Sequence, residues 1–360
     1  MQFIKEGMAR VKVYKGVFYN PRMKGLRDLS VLFLKSSLNG GSVLDGTSAT
    51  GVRGIRYLLE SGISNCTFVD ISSAARRNIS ANIKLNCVKG SVSEYDFQGF
   101  SNLSKDGFDA IELDPFGSPT PLVYDSMKVS RDGTMLMVTA TDTAVLCGAD
   151  FQACMRTYGS RPIHNGLCHE GAVRILIAYI LRNAAQFGFG IKPMLYISDM
   201  HYLRVFLRLE KGAVKSTESV RRIGFLDYCG SCNSFASMLG IPKARAECCS
   251  CGNATERSGP MWLGSISDKT VTESMLSHGE AFLDRHTSRL LRLIHDEIDT
   301  QFFYYLPRIT RTMRKGSVSS DKVIESLRGS GFSASRTSFT NFGVKTNAGI
   351  SEVTEAVERL

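Results

Sequence analysis

Short apolar runs alternate along the first half of the chain with longer stretches in which apolar residues recur at helical spacing. The runs predict four strands, at residues 42–45, 66–69, 108–113 and 134–139. The longer stretches predict helices that begin near Arg27, Gly51, Ser73 and Thr120. Because strands that alternate with helices form parallel sheets, the pattern predicts a doubly wound α/β fold.

The second half of the chain begins with a long predicted helix over residues 170–186, which is apolar almost all round and should be buried. Predicted strands at 194–198 and 202–209 could complete the first sheet or belong to a second domain. We place the boundary near Gly190, which predicts domains at residues 1–190 and 191–360. The second domain contains predicted helices at 273–283 and 287–300 and a helix–strand–helix module over 321–360.

The apolar run that precedes Asp114-Pro115-Phe116 ends abruptly at the carboxylate. Proline cannot continue a central strand, so Asp114 and Phe116 should lie at the carboxyl edge of the sheet, where α/β proteins bind ligands. An acid beside an aromatic ring suits a planar base with an exocyclic amine, because the acid accepts the N–H groups while the ring stacks. The alternative is an ordinary strand end with an Asp-Pro turn.

The first predicted strand and helix are joined by a loop of small residues that ends at Gly51. No Lys-Ser/Thr pair follows Gly51, so a phosphate loop is excluded. Asp45, at the end of the first strand, suits an amine-bearing or cationic ligand. Asp70 follows the second strand, nineteen residues after Gly51, which is a position for binding ribose hydroxyls. A nucleoside with an amino-acid tail, S-adenosylmethionine, fits both acids.

Composition and charge narrow the class of protein. The chain of 360 residues is 43% hydrophobic and 22% charged, as in globular proteins. Its most apolar segment, Ile175 to Leu181, is far short of the roughly 20 residues that span a bilayer, so we predict no membrane contact and a cytoplasmic location. Of the net charge of +10, much lies near the chain ends, at residues 1–27 and 301–345. These basic segments favour phosphate binding, with a solvated surface as the alternative.

Ten cysteines in a cytoplasmic protein argue against disulfides. Four have the spacing of a structural zinc site: Cys229, Cys232, Cys248 and Cys251. Cys249 could replace Cys248, and free thiols or a redox pair are the alternative to zinc. The five cysteines outside residues 229–251 are predicted to be small core residues, and none of the six histidines shows metal-ligand spacing.

Several motifs together resemble one family, the tRNA guanine-N2 dimethyltransferases that act at position 26, and are most similar to its archaeal members. The resemblance covers nearly the whole chain. It depends on the following segments: Phe18-Tyr19-Asn20-Pro21, Arg27-Asp28-Leu29-Ser30, Asp114-Pro115-Phe116-Gly117-Ser118-Pro119, Ala140-Thr141-Asp142-Thr143-Ala144, Tyr158-Gly159 and Ser335-Arg336-Thr337.

The resemblance implies a class I S-adenosylmethionine-dependent methyltransferase domain, followed by an α+β C-terminal domain that bears zinc and binds tRNA. It implies that three residues hold the cofactor: Arg27, Asp45 and Asp70. It also implies three residues in contact with the target base: Asp114, Phe116 and Phe18. Asp114 would bind the N2 amine and take up its proton, while the two rings clamp the guanine. The chemistry requires no metal, so zinc should be structural, and no obligate protein partner is predicted.

Two departures from the family pattern leave positions open. The adenine-binding acid expected after the third strand could be Glu94 or Asp96, and Ser338 stands where the family suggests a histidine. Other functions also stay open. The chain could methylate another RNA or DNA amine, or it could be a zinc-bearing RNA-binding protein with an inactive methyltransferase core. The sequence does not decide whether one or two methyl groups are transferred.

Overall fold

A seven-stranded sheet forms the centre of the protein. The computed structural model describes residues 2–105, 107–199, 201–242, 247–279 and 282–360. From one edge to the other, the strands are β5 (Gly90–Val92), β4 (Asn65–Phe68), β3 (Ser42–Asp45), β6 (Phe108–Leu113), β7 (Ser130–Ala140), β9 (Tyr202–Lys211) and β8 (Phe189–Asp199). The first five strands are parallel, and β9 pairs antiparallel with both β7 and β8, which confirms the predicted fold class. The strand order reverses between β3 and β6, the point at which such sheets bind ligands.

Helices cover both faces of this sheet. They are α1 (Lys24–Ser37), α2 (Val52–Glu60), α3 (Ser73–Asn86), α4 (Phe97–Leu103), α5 (Thr120–Lys128), α6 (Thr143–Leu146), α7 (Phe151–Tyr158), α8 (Cys168–Gln186) and α9 (Ala213–Val220). Helix α2 packs directly on β4, because Gly54 has no side chain where a Cβ would lie 2.4 Å from the Phe68 ring. Gly51 precedes α2 with a positive φ of 75°, a conformation that favours glycine.

Strands β8 and β9 complete the first sheet, which is the alternative that the sequence left open. A boundary near Gly190 would cut strand β8, and the sheet extends through Lys211. The physical reason is that β9 pairs with β7 from Met135 to Ala140, which gives an antiparallel extension that an isolated hairpin would lack.

An N-terminal hairpin, β1 (Gln2–Glu6) and β2 (Ala9–Val13), was not predicted from the sequence. The free edge of β2 faces helix α3, whose Asn78, Asn82 and Asn86 we call the asparagine ladder. Asn82 accepts a hydrogen bond from the Lys12 amide at 2.8 Å and donates to the Lys12 carbonyl at 2.9 Å. Asn86 makes the same pair with Arg10. Asparagines four residues apart on one helix thus substitute for a neighbouring strand.

The rest of the chain forms two smaller sheets. The first contains β10 (Ile223–Tyr228), β11 (Phe235–Leu239) and β12 (Glu256–Trp262), and the second β13 (Tyr304–Tyr305), β14 (Ala334–Arg336) and β15 (Gly343–Thr346). The helices are α10 (Lys269–Gly279), α11 (Arg285–Asp296), α12 (Leu306–Thr312), α13 (Ser320–Gly329) and α14 (Ile350–Glu358). Of the helix predicted at 273–283, residues 280–281 lie outside the described residues. The single strand predicted within the terminal module is two short strands.

The main apolar core continues from the large sheet into the C-terminal half. Trp262, Phe302 and Phe303 belong to it, whereas the terminal module has a small core of its own around Val323 and Val344. Buried charges also join the halves, in a group we call the Glu170 cluster: Glu170, Arg174, Tyr196, Glu297 and Lys345. Within the described part of the chain, no helix is long and apolar enough to span a membrane.

Candidate active site and cysteine cluster

Asp114 lies at the carboxyl end of β6, directly beside the glycine loop that follows β3. Its backbone N–H donates to the Thr47 hydroxyl at 2.9 Å, and the Gly46 N–H donates to the Glu112 carbonyl at 2.9 Å. The predicted target-binding acid and the predicted cofactor loop are therefore hydrogen-bonded neighbours. Neighbouring positions of this kind are required if a donor and an acceptor are to react.

Asp45 is buried at the end of β3. One carboxylate oxygen accepts the Gly54 N–H at 3.3 Å, and the other, Oδ1, has no hydrogen-bond partner within the described ranges. Burial raises the pKa of Asp45 to about 7. An unsatisfied buried acceptor is costly, so this site fits a ligand that brings an amine.

Asp70 follows β4 and lies next to the same loop. Its two oxygens accept the N–H groups of Ala49 and Ser72, each at 2.8 Å. It therefore holds the loop against the end of β4, and each oxygen keeps a second lone pair that a ribose hydroxyl could use.

Arg27 is buried in the N-terminal segment. It donates to Glu6 from Nε at 2.7 Å and from Nη2 at 2.5 Å, and to the Asn20 carbonyl at 3.0 Å. Burial alone would raise the pKa of Glu6, but Arg27 outweighs it and holds that pKa at about 2. These contacts position the segment that carries Phe18. They do not bring Arg27 to Asp45 or Asp70, so its cofactor role stays a prediction.

Beneath Asp114 lies a set of buried charges that we call the Glu112 cluster: Arg53, Tyr57, Glu112, Asp114 and Arg204. Glu112 accepts hydrogen bonds from Arg204 at 2.7 and 2.5 Å, from Arg53 at 3.1 Å and from Tyr57 at 2.7 Å. Arg53 also forms an ion pair with Asp114. This cluster is not predicted from the sequence, where its signal is a glutamate within the apolar run of β6.

The charges of the cluster set the state of Asp114. Burial by itself would raise the pKa of this carboxyl, but Arg53 and Arg204 outweigh it and hold the pKa below its usual value. Arg53 is itself held by two carboxylates, from Glu112 and Asp114, which keep it charged. Asp114 is thus a fixed anion whose side chain remains 17% exposed.

The two aromatic residues predicted to clamp the base are in contact with each other. Phe18 is 50% exposed and Phe116 is 75% exposed, unusual values for large apolar rings. Their centroids are 4.7 Å apart and the planes are nearly perpendicular, at 82°. The structure brings both rings to the edge that carries Asp114. One ring must move before a base can stack between them.

A hydroxyl network holds the turn after Asp114. The buried Tyr158 donates to Asp142 at 2.8 Å and accepts from Ser118 at 2.9 Å. The Gly117 N–H donates to the Thr141 hydroxyl at 2.7 Å. Three of the segments that carried the resemblance therefore meet at one place, although they are distant in the sequence.

The four predicted zinc ligands converge. The sulfurs of Cys229, Cys232, Cys248 and Cys251 all lie within 4.8 Å of one another, with Cys229–Cys251 at 3.5 Å and Cys232–Cys248 at 3.4 Å. Tetrahedral zinc with bonds of about 2.3 Å would place its sulfurs about 3.8 Å apart, so the donor set fits. Cys249 is exposed and does not join the group, which favours Cys248 as the fourth ligand.

The C-terminal basic segment divides into buried and exposed charges. Lys345 is buried between Glu170 and Glu297, at 3.5 and 3.9 Å, and Arg336 forms an ion pair with Asp321. Four exposed basic residues lie at and just after α12, Arg308, Arg311, Arg314 and Lys315, and Lys322 and Arg328 of α13 are exposed as well. Helix α12 packs on the cysteine loop, where Asn233 donates to the Thr312 hydroxyl at 3.0 Å.

Comparisons with known proteins point to one family. Residues 2–358 match the model of a family described as N2,N2-dimethylguanosine tRNA methyltransferase. A tRNA (guanine(26)-N(2))-dimethyltransferase of Methanothermobacter thermautotrophicus is 34% identical over 98% of this chain and 95% of its own length. A tRNA (guanine(26)-N(2)/guanine(27)-N(2))-dimethyltransferase of Aquifex aeolicus is 32% identical, over 100% and 96%. The structure of Trm1 from Pyrococcus horikoshii with S-adenosyl-L-methionine superposes with a TM-score of 0.92 and 32% identity, covering 99% of both chains.

Proposed function

The chain belongs to the family of N2,N2-dimethylguanosine tRNA methyltransferases, and on that premise we propose that it transfers two methyl groups from S-adenosylmethionine to the N2 amine of guanine 26 in tRNA. The observation that carries this proposal is the hydrogen bond between the Asp114 N–H and Thr47, which puts the acceptor acid beside the cofactor loop. When bound, the cofactor supplies a methyl group on an electrophilic sulfonium.

Asp114 would orient the target amine and stabilise the charge that develops on it. The guanine amine is a poor nucleophile because its lone pair is delocalised into the ring. A fixed carboxylate that accepts its N–H groups favours the positive charge formed during attack. Arg53 keeps Asp114 ionised, which makes it a weak base. It can still accept the proton, because an aromatic amine that has gained a methyl group is strongly acidic until it loses that proton.

Asp45 and Asp70 would hold the cofactor through its amine and its ribose hydroxyls. The unpartnered Oδ1 of Asp45 and the free lone pairs of Asp70 are the supporting observations. Arg27 would act by fixing the segment between Asn20 and the hairpin. Glu94 and Asp96 both remain candidates for binding the adenine. Asp96 also caps α4, where it accepts the Gly99 N–H at 2.8 Å.

Phe18 and Phe116 would stack on the extracted guanine. Their edge-to-face contact is replaced by two ring–base contacts, each worth about 1–3 kcal/mol in single-stranded recognition. That gain would offset part of the cost of unstacking the guanine from the tRNA.

The four-cysteine cluster would hold a structural zinc ion through Cys229, Cys232, Cys248 and Cys251. Removal of the metal should loosen the loop that supports α12 and so weaken tRNA binding, without a direct effect on the methyl-transfer step. The exposed arginines of α12 would neutralise tRNA phosphates and give a salt-dependent affinity. The cytoplasmic location stays a prediction.

The proposal is tested by incubating unmodified tRNA with the protein and methyl-labelled cofactor, followed by mass spectrometry of the digested nucleosides. We expect N2,N2-dimethylguanosine, and no product from a matched tRNA with adenine at position 26. Product from DNA, or from another RNA amine, would support the broader methyltransferase alternative. Cofactor binding without any product would instead indicate an inactive RNA-binding protein.

A further inference from the structure

Three other side chains with metal-binding chemistry converge on the acceptor side of the large sheet. Cys147 ends α6, and Cys168 and His169 are the first two residues of α8. Their donor atoms all lie within 4.8 Å of one another, with the Cys147 sulfur 3.7 Å from Nδ1 of His169. The group has no signature in the sequence, because 20 residues separate Cys147 from Cys168.

The separation of these donors fits a tetrahedral metal ion. Zinc bonds of about 2.3 Å to sulfur and about 2.0 Å to nitrogen would place the two donors about 3.6 Å apart. Each of the three residues is partly buried, so a bound ion would be shielded from solvent. Two thiolates and an imidazole favour zinc over magnesium or calcium.

A further histidine lies close to this group without being one of its three donors. The Nδ1 atom of His164 lies 3.0 Å from the Cys147 carbonyl oxygen. If Nδ1 donates to that carbonyl, Nε2 remains an acceptor for a water bound to the ion. A carbonyl that fixes the tautomer of a histidine is a common support of metal sites.

We propose that Cys147, Cys168 and His169 form a second site for zinc, separate from the four-cysteine cluster. This site takes no part in the chemistry of methyl transfer. A bound ion links the residue that follows α6 to the start of α8, and so joins the two ends of the segment between them.

The segment between Cys147 and Cys168 contacts the turn that follows Asp114. Between Cys147 and Cys168 lies α7, which carries Tyr158, and Tyr158 bonds Asp142 and Ser118. Closing a segment of this length lowers the conformational entropy of its open forms. The bound ion therefore holds Tyr158, and with it the turn that presents Asp114 and Phe116, in one arrangement.

The test is metal analysis of the full-length protein, loaded with zinc and passed over a desalting column. We expect two equivalents of zinc per chain. The double variant Cys147→Ser/Cys168→Ser should retain one, as should Cys229→Ser/Cys232→Ser. The matched control is Cys154→Ser, a buried cysteine of α7 outside both groups, which should retain two.

Cobalt substitution distinguishes the two sites by spectrum. A site with four thiolates should give stronger sulfur-to-cobalt absorption than one with two thiolates and an imidazole, and the weaker component should vanish in Cys147→Ser/Cys168→Ser. If that variant does not fold, His169→Asn replaces it. Loss of this ligand should weaken zinc binding at least as much as the about 10–100-fold cost of losing an outer-shell partner.

Hydrogen exchange supplies a readout of the structural role. Zinc should slow exchange in residues 148–167 of the wild-type protein and leave Cys147→Ser/Cys168→Ser unaffected. The proposal is overturned if the wild-type protein binds a single equivalent that only the Cys229→Ser/Cys232→Ser variant loses. It is also overturned if the second equivalent survives the loss of Cys147 and Cys168.

Discussion

The protein contains two buried charge clusters of similar composition and different outcome. In the Glu170 cluster, Glu170 accepts hydrogen bonds from Arg174 at 2.9 and 2.7 Å and from the Phe302 N–H at 2.7 Å. Its other members, Lys345, Glu297 and Tyr196, are also buried. The Glu112 cluster is also buried, except that the side chain of Asp114 is partly exposed to solvent beside Phe116.

This difference in solvent exposure indicates which cluster serves stability and which serves the active site. A cluster with no exposed member serves to hold elements together, and the Glu170 cluster joins α8 to β15 and to the segment after α11. A cluster with one exposed member holds that member in a defined charge state and orientation, as an active site requires. Substitutions in the first should therefore change stability, and substitutions in the second should change activity.

The largest expected effect is that of Asp114→Ala. Methyl transfer should fall by about 10²–10⁴-fold, the usual contribution of a positioned acid–base group, while cofactor affinity stays nearly unchanged. Asp114→Asn should also be severely impaired, because an amide does not stabilise positive charge as a carboxylate does. Single-turnover kinetics and cofactor titration measure the two quantities. Near-normal turnover of Asp114→Ala would refute a catalytic role for the Glu112 cluster.

Glu170→Gln should show the opposite pattern. Loss of one partner leaves Arg174 and Lys345 poorly compensated in the core, which costs about 3–5 kcal/mol of unfolding free energy. Arg174 and Lys345 outweigh the effect of burial and lower the pKa of Glu170 in the folded protein, so its contribution is present at neutral pH and is lost as the pH falls through that lowered pKa. The stability gap between the two proteins should therefore narrow in acid. Denaturant unfolding at several pH values measures it.

Turnover of the folded Glu170→Gln protein supplies the control for that experiment. It should equal that of the wild type. A strong loss of activity without loss of stability would show that the enclosed cluster also serves the active site.

Arg53→Gln should change activity and its pH dependence together. Without this guanidinium, Asp114 loses the charge that lowers its pKa, so the acid limb of the rate profile should move to higher pH. Turnover at neutral pH should fall by about tenfold to a hundredfold through misorientation of the carboxylate. Arg53→Lys keeps the charge and should retain the wild-type pH limb. An unshifted profile in Arg53→Gln would mean that Arg53 has only a structural role.

The smallest effect concerns the cofactor side of the site. With a pKa of about 7 in the free protein, Asp45 must lose a proton to pair with a cationic amine. Affinity for S-adenosylmethionine should be full above this pH and fall about tenfold per unit below it. Titrations across pH 5.5–8.5 would reveal the slope. The variant Asp45→Asn should bind more weakly and without this slope.

The sequence identified the residues whose position follows from strand ends. Asp70 and Asp114 come directly after predicted strands and Asp45 is the last residue of one, and parallel strands bring their carboxyl ends to one edge. The role of Glu112 could not be predicted, because its neutralising partner Arg204 lies 92 residues away, on a strand that the sequence does not assign to a sheet. The proposed metal site at Cys147 and Cys168 could not be predicted for the same reason, since a contact between distant residues leaves no local pattern.

The asparagine ladder has a consequence for solubility and for exchange with solvent. An uncovered edge strand offers its amides and carbonyls to other chains and so promotes aggregation. Along β2, the N–H and C=O groups of Arg10 and Lys12 are already occupied by side-chain amides of α3. These amide protons should therefore exchange slowly although no strand covers them. Asn82→Ala should speed exchange of the Lys12 amide and make the protein prone to associate through its first hairpin.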